Sequence, residues 1–163
     1  GGNNMFQEEE YLLYKQMPIY ERSLILVKVL FKNKKDKGGH SYINHLRHVS
    51  RDLKGEKLKA MGLMHDVLED TDMTPEEMKK LGYNDEFITV VKLLTNTYPS
   101  YDEYIDNLIK SNNKDAFVIK LKDLLDNMDL TRLQMVSEKD INRSKRYINA
   151  YLKIINKTEG EII

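Results

Sequence analysis

Cysteine is absent from the chain, and only three prolines and eight glycines interrupt its 163 residues. Without cysteine there is no disulfide, no thiolate metal site and no thiol nucleophile. Any metal must therefore be bound by histidine, aspartate or glutamate, with asparagine or water completing its shell. Long apolar runs are lacking as well. The longest, LILVKVLF, contains Lys28 and is far shorter than the about 18 residues of a membrane span.

The charges balance, with 26 basic and 26 acidic residues. No global field therefore favours a nucleic acid polymer or an acidic membrane surface as partner. The length and the 40% hydrophobic content predict one globular domain with a sizeable core. We recognise no signal peptide and expect a cytoplasmic protein. Residues 1–4 are interpreted as a tag remnant before Met5, and residues 5–163 as the domain.

Apolar residues recur every three to four positions along most of the chain, which is typical of helices. Strand-like alternation, repeats and linkers are lacking, so the predicted fold is all-α, a single helical bundle. Thr74 with Glu77 forms a predicted capping box, and Pro75 suits the first helical position. The predicted helices cover residues 7–32 with a break at Pro18, then 42–53, 56–68, 75–82, 85–94, 101–109, 114–130 and 140–156.

His65 and Asp66 lie within an otherwise apolar segment, LKAMGLMHDVL. Adjacent residues are about 100° apart on a helix, so both can flank one point beside it. Glu69 and Asp70 follow four residues later on the same faces. Burying carboxylates without partners is costly, and a cation is the usual remedy. The alternative is that His65 caps a helix or fills a polar core niche while Asp66, Glu69 and Asp70 face water.

A second candidate segment is FVIKLKDLLDNMDLTRL, residues 117–133. Asp123 and Asn127 share a helix face that adjoins an apolar stripe. Asp123 is a candidate carboxylate ligand with Asn127 as its hydrogen-bonding neighbour, or else a surface acid paired with Lys120 or Lys122. The predicted stripe consists of Phe117, Leu121, Leu124, Leu125 and Met128.

Two histidines stand three residues apart in YINHLRHVS, but no HExxH zinc-protease motif is present. His45 with His65, Asp66 and Asp123 would give two imidazoles and two carboxylates. That set suits a divalent metal with open water positions, such as Mn²⁺, Fe²⁺ or Zn²⁺, whereas a structural zinc site is not expected. We interpret His48 as a bystander one turn beyond His45.

The strings YINH, LMHDVLEDTDMTPEEM, LGYNDE and KLKDLLDNMDL resemble the HD superfamily of metal-dependent phosphohydrolases. Within it they resemble the RelA/SpoT-type alarmone hydrolase domain and the small single-domain alarmone hydrolases, including the metazoan SpoT homologue. The resemblance covers roughly residues 6–151. The HD pair alone is weakly specific, whereas HD followed by EDT and a KLxDxxxN block is strongly specific.

The resemblance implies a role for each matching residue. A divalent metal, Mn²⁺ first with Fe²⁺ or Zn²⁺ as alternatives, would be bound by His45, His65, Asp66 and Asp123. Water activation and proton transfer would fall to Glu69 and Asp70. Substrate contacts would come from Lys34, Lys35, Tyr42 and Asn127. Two further candidates, Arg143 and Tyr147, lie four apart on the last helix and can either contact a base or pack on the helix surface.

The implied reaction is hydrolysis of the alarmone ppGpp, guanosine 3′,5′-bis(diphosphate), with release of the 3′-pyrophosphate, as in the stringent response. The chain departs from the family pattern at Val29 (usually histidine), Lys34 (usually arginine) and Asp126 (usually histidine or tyrosine). Lysine lacks the bidentate fork of arginine, so two alternatives stay open. One is an HD phosphohydrolase for another nucleotide, such as NADPH or a deoxynucleotide triphosphate. The other is a sensor that binds a nucleotide without cleaving it.

Overall fold

The computed structural model describes residues 4–158, so the first three residues of the predicted tag remnant lie outside the described part. Within that range there is no β-strand, only an isolated antiparallel bridge between Lys35 and Ser41, and the all-α prediction is confirmed. The helices are α1 (Glu8–Gln16), α2 (Ile19–Leu30), α3 (Tyr42–Arg51), α4 (Glu56–Met64), α5 (Val67–Asp70), α6 (Pro75–Lys80), α7 (Asp85–Leu93), α8 (Tyr101–Lys110), α9 (Lys114–Asn127) and α10 (Glu138–Thr158), with a short 3-10 helix at Leu130–Arg132.

Side-chain caps start several helices where the sequence suggests. Thr74 accepts a hydrogen bond from the Glu77 backbone N–H (3.1 Å) and Pro75 follows at the first position of α6. The predicted capping box is incomplete, because the Glu77 carboxylate turns away to the buried Tyr11 hydroxyl. Similar caps at Asn84, Ser100 and Asn113 begin α7, α8 and α9.

Helix α4 lies at the centre of the core, packed against α2 and α3, while α3 also packs on α9 and α9 on α10. Gly62 makes the α3–α4 contact close, since a Cβ there would lie 3.2 Å from the Ser50 Cα. Burial of apolar side chains drives this packing at about 25 cal/mol per Å². Fully buried core residues from five helices are Leu26, Leu46, Met61, Val91 and Leu124.

The predicted continuous helix 56–68 is wrong at one point. Helix α4 ends at Met64, and α5 begins only at Val67. The His65 ring Nδ1 bonds the Gly62 carbonyl oxygen at 2.6 Å, and Asp66 leaves helical geometry with φ −102° and ψ 1°. Side-chain bonds to nearby carbonyls compete with the helical ladder in this way.

Helix α9 also ends earlier than predicted, at Asn127 rather than near residue 130. Asp129 caps the following 3-10 turn by accepting the Thr131 N–H at 3.0 Å. Leu125 was predicted to belong to the apolar stripe, but its side chain lies on the solvent side and is 47% exposed. Across residues 4–158, no helix combines the length and the apolar character that crossing a bilayer requires.

Candidate metal centre and cavity

Three separate segments bring the predicted metal ligands to one place. His45 shares a face of α3 with the buried Val49, and Asp123 shares a face of α9 with the buried Ile119. His65 and Asp66 occupy the break between α4 and α5. All four predicted ligands are at most 7% exposed, so the packing of α3, α4 and α9 fixes their relative positions.

The distances between the facing atoms suit a coordination shell. His45 Nε2 lies 3.0 Å from Asp123 Oδ1 and 3.7 Å from Asp66 Oδ2. His65 Nε2 lies 3.3 Å from Asp123 Oδ1 and 3.1 Å from Asp66 Oδ2. Ligands about 2.1 Å from a metal stand about 3.0 Å apart at 90° and about 3.4 Å apart at the tetrahedral angle. The observed separations fall around these values.

The hydrogen bonds of the two imidazoles also favour a metal. Each ring is held through Nδ1, His65 by the Gly62 carbonyl and His45 by Asp126 Oδ2, both at 2.6 Å. Within residues 4–158, His45 Nε2 is buried and forms no hydrogen bond despite lying 3.0 Å from Asp123 Oδ1, an arrangement that needs an explanation in a folded protein. The buried group of His45, His65 and Asp123 can hold a divalent metal.

The electrostatics of the group are tightly balanced. Burial alone would lower the pKa of His45, but the adjacent carboxylates of Asp123 and Asp126 raise it to about 9. Burial opposes charge on His65 too, yet Asp66 and Asp123 hold its pKa above the usual range. Protons on the imidazoles therefore offset the buried carboxylates, and a bound cation would replace them.

Lys120 also belongs to this group of side chains. The sequence analysis named it only as a possible partner of Asp123 if Asp123 were a surface acid. Its buried ammonium lies 2.9 Å from Asp123 Oδ2 and 5.0 Å from the centre of the Tyr104 ring. Asn127 Nδ2 donates to Asp123 Oδ1 at 3.0 Å. The predicted ion pair therefore exists, but it holds a buried carboxylate rather than a surface acid. Lys120 occupies Oδ2 and leaves Oδ1 turned to the two histidines.

Glu69 and Asp70 lie beside Asp66, with carboxylate oxygens of the three within 4.8 Å of one another. Glu69 accepts the Asn96 backbone N–H at 2.7 Å, and desolvation raises the pKa of its carboxyl. Asp70 pairs with Lys34 at 3.3 Å. The two predicted proton-transfer residues thus differ in environment, since Asp70 forms an ion pair and Glu69 accepts a backbone N–H.

The loop before α3 folds over the group. Asp36 Oδ1 accepts the backbone N–H groups of Gly38 and His40, both at 2.9 Å. The Lys34 ammonium lies 4.7 Å from the centre of the Tyr42 ring, and the Tyr42 hydroxyl donates to Asp66 Oδ2 at 2.6 Å. Tyr42 therefore joins the loop to the metal group.

A cavity of about 560 Å³ opens above this group, a size typical of small-molecule sites. Basic side chains at its wall include Lys37 and Arg132, which sequence reasoning did not select. The predicted substrate contacts all line it, namely Lys34, Lys35, Tyr42, Asn127, Arg143 and Tyr147. So do Glu69 and Asp70, while His65 lies beneath the cavity wall. The roles of these residues remain predictions.

No protein-family model and no curated protein sequence matches the chain. Solved structures do match. A metazoan orthologue of SpoT, described as hydrolysing ppGpp and playing a role in starvation responses, superposes with a TM-score of 0.66. The match covers 90% of this chain and 98% of that one at 21% sequence identity. The chain has the fold of this SpoT orthologue. The resemblance stated from the motifs is thus confirmed for the fold.

Asp126 is the clearest residue of the site that sequence reasoning did not assign. It was noted only as a departure from the family pattern, yet its carboxylate bonds His45, His48 and Arg132. His48 lies outside the group, with its side chain 47% exposed and its Nδ1 3.1 Å from Asp126 Oδ1. The departure from the family pattern was the sequence signal at this position, while the contact with His45 depends on the packing of α3 on α9.

Proposed function

We propose that the protein is a metal-dependent hydrolase of guanosine 3′,5′-bis(diphosphate), which releases the 3′-pyrophosphate and leaves GDP. The observation that carries this proposal is the set of four histidine–aspartate distances of 3.0–3.7 Å beneath a cavity with a basic wall. The motifs support it, and so does the activity reported for the SpoT orthologue of the same fold.

Mn²⁺ is the proposed metal, because two imidazoles with two carboxylates suit a transition metal that keeps water positions. Such an ion activates water and polarises a phosphate oxygen. His45 and His65 would bind it through Nε2, and Asp66 and Asp123 through one oxygen each. Lys120 donates to Asp123 Oδ2, the oxygen turned away from the histidines, and Tyr42 donates to Asp66 Oδ2, the oxygen that faces them. Both contacts keep the carboxylates in place.

Glu69 and Asp70 are the proposed proton-transfer residues. The raised pKa of Glu69 brings its carboxyl nearer to neutral pH, where a group can both take and return a proton. Asp70 instead forms an ion pair with the Lys34 ammonium at 3.3 Å. Glu69 is therefore the better candidate to exchange protons with water and the leaving oxygen.

The cavity wall fits a ligand with two phosphate groups. Lys34, Lys35 and Lys37 come from the loop before α3, Arg132 from the 3-10 turn and Arg143 from α10, and all five line the cavity. Such cations bind phosphate and offset the charge that develops in the transition state. Tyr147, edge-on to Tyr101 at 6.0 Å, offers an aromatic surface for the base.

The test is hydrolysis by protein stripped of metal and then loaded with Mn²⁺. Phosphorus NMR after an EDTA quench should show pyrophosphate and GDP from ppGpp, and none without metal. Asp66→Asn should abolish the reaction, while Asp106→Asn, a surface acid paired only with Lys153 among the described residues, should not.

The same assay separates the alternative functions. The panel of nucleotides also contains pppGpp, NADPH and deoxynucleotide triphosphates. If one of these is cleaved and ppGpp is not, the protein is an HD phosphohydrolase of different specificity. Metal-dependent binding of ppGpp without cleavage of any nucleotide would identify a sensor. Either result would overturn ppGpp hydrolysis as the function.

A further inference from the structure

Asp126 lies on the far side of His45 from the atoms that face the proposed metal. Its Oδ2 is 2.6 Å from His45 Nδ1 and 3.0 Å from Arg132 Nη1. Its Oδ1 is 3.1 Å from His48 Nδ1. The Asp126 side chain is 12% exposed, so these partners account for most of its surroundings.

The contact of Asp126 with His45 Nδ1 determines whether His45 Nε2 can bind a metal. A carboxylate only accepts hydrogen bonds, so His45 must carry its proton on Nδ1 and leave the Nε2 lone pair free for a metal. The same contact fixes the ring plane. His65 achieves this through the Gly62 backbone carbonyl, which no substitution removes. Of the two imidazoles, only His45 depends on another side chain.

Asp126 also fixes a cation of the cavity wall. Arg132 binds the Asp126 carboxylate through Nη1, and its Nη2 donates to the Asp126 backbone carbonyl. Arg132 lines the cavity together with Asp123 and Asn127. One carboxylate at the end of α9 therefore contacts both a proposed metal ligand and a basic residue that faces the ligand space.

We propose that Asp126 is a positioning residue that holds His45 in the metal-binding tautomer and orientation and aligns Arg132 with the cavity. It acts through these two side chains and does not itself bind the metal. The inference rests on the proposed metal site but not on the identity of the nucleotide, so metal affinity can test it separately from hydrolysis.

The experiment measures Mn²⁺ affinity by electron paramagnetic resonance of the free ion, using Asp126→Asn and Asp126→Ala. Loss of such an outer hydrogen-bond partner weakens metal binding about 10–100-fold, and we expect the larger loss for alanine, because asparagine can still accept the bond. Asp106→Asn removes an equal charge at the surface and should leave the affinity unchanged. Arg132→Met should raise KM for the nucleotide and leave Mn²⁺ affinity within about threefold, as expected for a group that does not touch the metal.

A spectroscopic readout follows the His45–Asp126 bond directly. In the Zn²⁺-loaded wild type, we expect a downfield imidazole N–H proton resonance that is absent from Asp126→Ala. Circular dichroism establishes that each variant folds. If this resonance is missing from the wild type, or if both Asp126 variants bind Mn²⁺ as tightly as the wild type, the inference is wrong while the metal site stands. If the wild type binds no Mn²⁺, the metal site and the inference fail together.

Discussion

The two histidines of YINHLRHVS occupy different environments although they are three residues apart. His45 is 2% exposed and turns Nε2 to the carboxylates. His48 is largely at the surface and reaches only the outer oxygen of Asp126. Spacing does not separate them, because i and i+3 share a helix face. The packing of α3 on α9 does, since it buries one side of that face.

Substitution of each histidine by glutamine should change Mn²⁺ affinity to different extents. His45→Gln removes a proposed ligand. Its Mn²⁺ affinity should therefore fall by more than about 100-fold, which is the upper limit for losing an outer hydrogen-bond partner. His48→Gln should change it by less than about threefold, because Asp126 keeps its bonds to His45 and Arg132. Isothermal titration with Mn²⁺ checks both. Equal losses in the two variants would contradict the assignment.

Removal of Lys120 should destabilise the protein most when no metal is present. Lys120→Met leaves the Asp123 carboxylate buried without its 2.9 Å partner, and breaking a buried pair costs about 3–5 kcal/mol. Because His45 and His65 still face Asp123, we expect roughly 3 kcal/mol, or about 6–12 °C in Tm. Thermal unfolding with and without Mn²⁺ measures it.

Added Mn²⁺ should reduce this loss, because the ion takes over part of the compensation of Asp123. Lys122→Met is the matched control, since Lys122 is on the same helix but makes no ion pair within residues 4–158. A Lys120→Met protein as stable as the wild type in EDTA would show that the buried pair contributes little.

Apolar periodicity predicted the presence and order of the helices but not the break that shapes the site. The pattern LMHDVL continues the helical spacing through His65 and Asp66, so nothing in it signals a stop. The interruption depends on the ring of His65 bonding the Gly62 carbonyl and on burial of Asp66 against Tyr42. Such tertiary bonds are not visible to a periodicity argument.

The loop between α2 and α3 should be sensitive to a single methyl group. A Cβ on Gly38 would clash with the Arg132 carbonyl oxygen, so Gly38→Ala must push the loop away from the 3-10 turn. Overpacking of this kind costs about 1 kcal/mol or more, which corresponds to about a fivefold rise in KM for the nucleotide. Mn²⁺ affinity should stay the same.

Gly39→Ala serves as the comparison for Gly38→Ala. Gly39 has φ +83°, and an added Cβ would meet nothing within 4 Å, so alanine there introduces backbone strain without a clash. Steady-state kinetics should show the smaller KM change for Gly39→Ala. A larger change for Gly39→Ala would mean that loop conformation, not its approach to Arg132, controls the cavity.

The proposed ligands are far apart in the chain, and the sequence alone could select them only through matching motifs. Composition required His, Asp or Glu ligands, and the KLKDLLDN block supplied Asp123. The distances between the ligand atoms and the contact of Asp126 with His45 depend on how α3, α4 and α9 pack. They were not predictable, because they join residues from separate segments of the chain. The Lys120–Asp123 pair, three residues apart on α9, was among the sequence alternatives, and only its burial was not.

A metal that joins these three segments should stabilise the entire fold. Binding to the native state alone adds about 2.7 kcal/mol at a ligand concentration 100 times Kd, which is about 5–11 °C in Tm for a domain of this size. Mn²⁺ should therefore raise Tm, and EDTA should reverse the rise. Mg²⁺ should do less, because two of the four ligands are imidazole nitrogens, which favour transition metals.

The stabilisation should depend on the ligands and not on the net charge of the protein. Asp66→Asn should abolish the Mn²⁺-dependent rise in Tm, while Asp106→Asn should retain it in full, since both remove one negative charge and only Asp66 faces the histidines. A rise that persists in Asp66→Asn would place the bound ion elsewhere. A rise lost in Asp66→Asn and retained in Asp106→Asn ties the metal to the junction of α4 and α5, where helix packing, metal affinity and hydrolysis would then share one set of side chains.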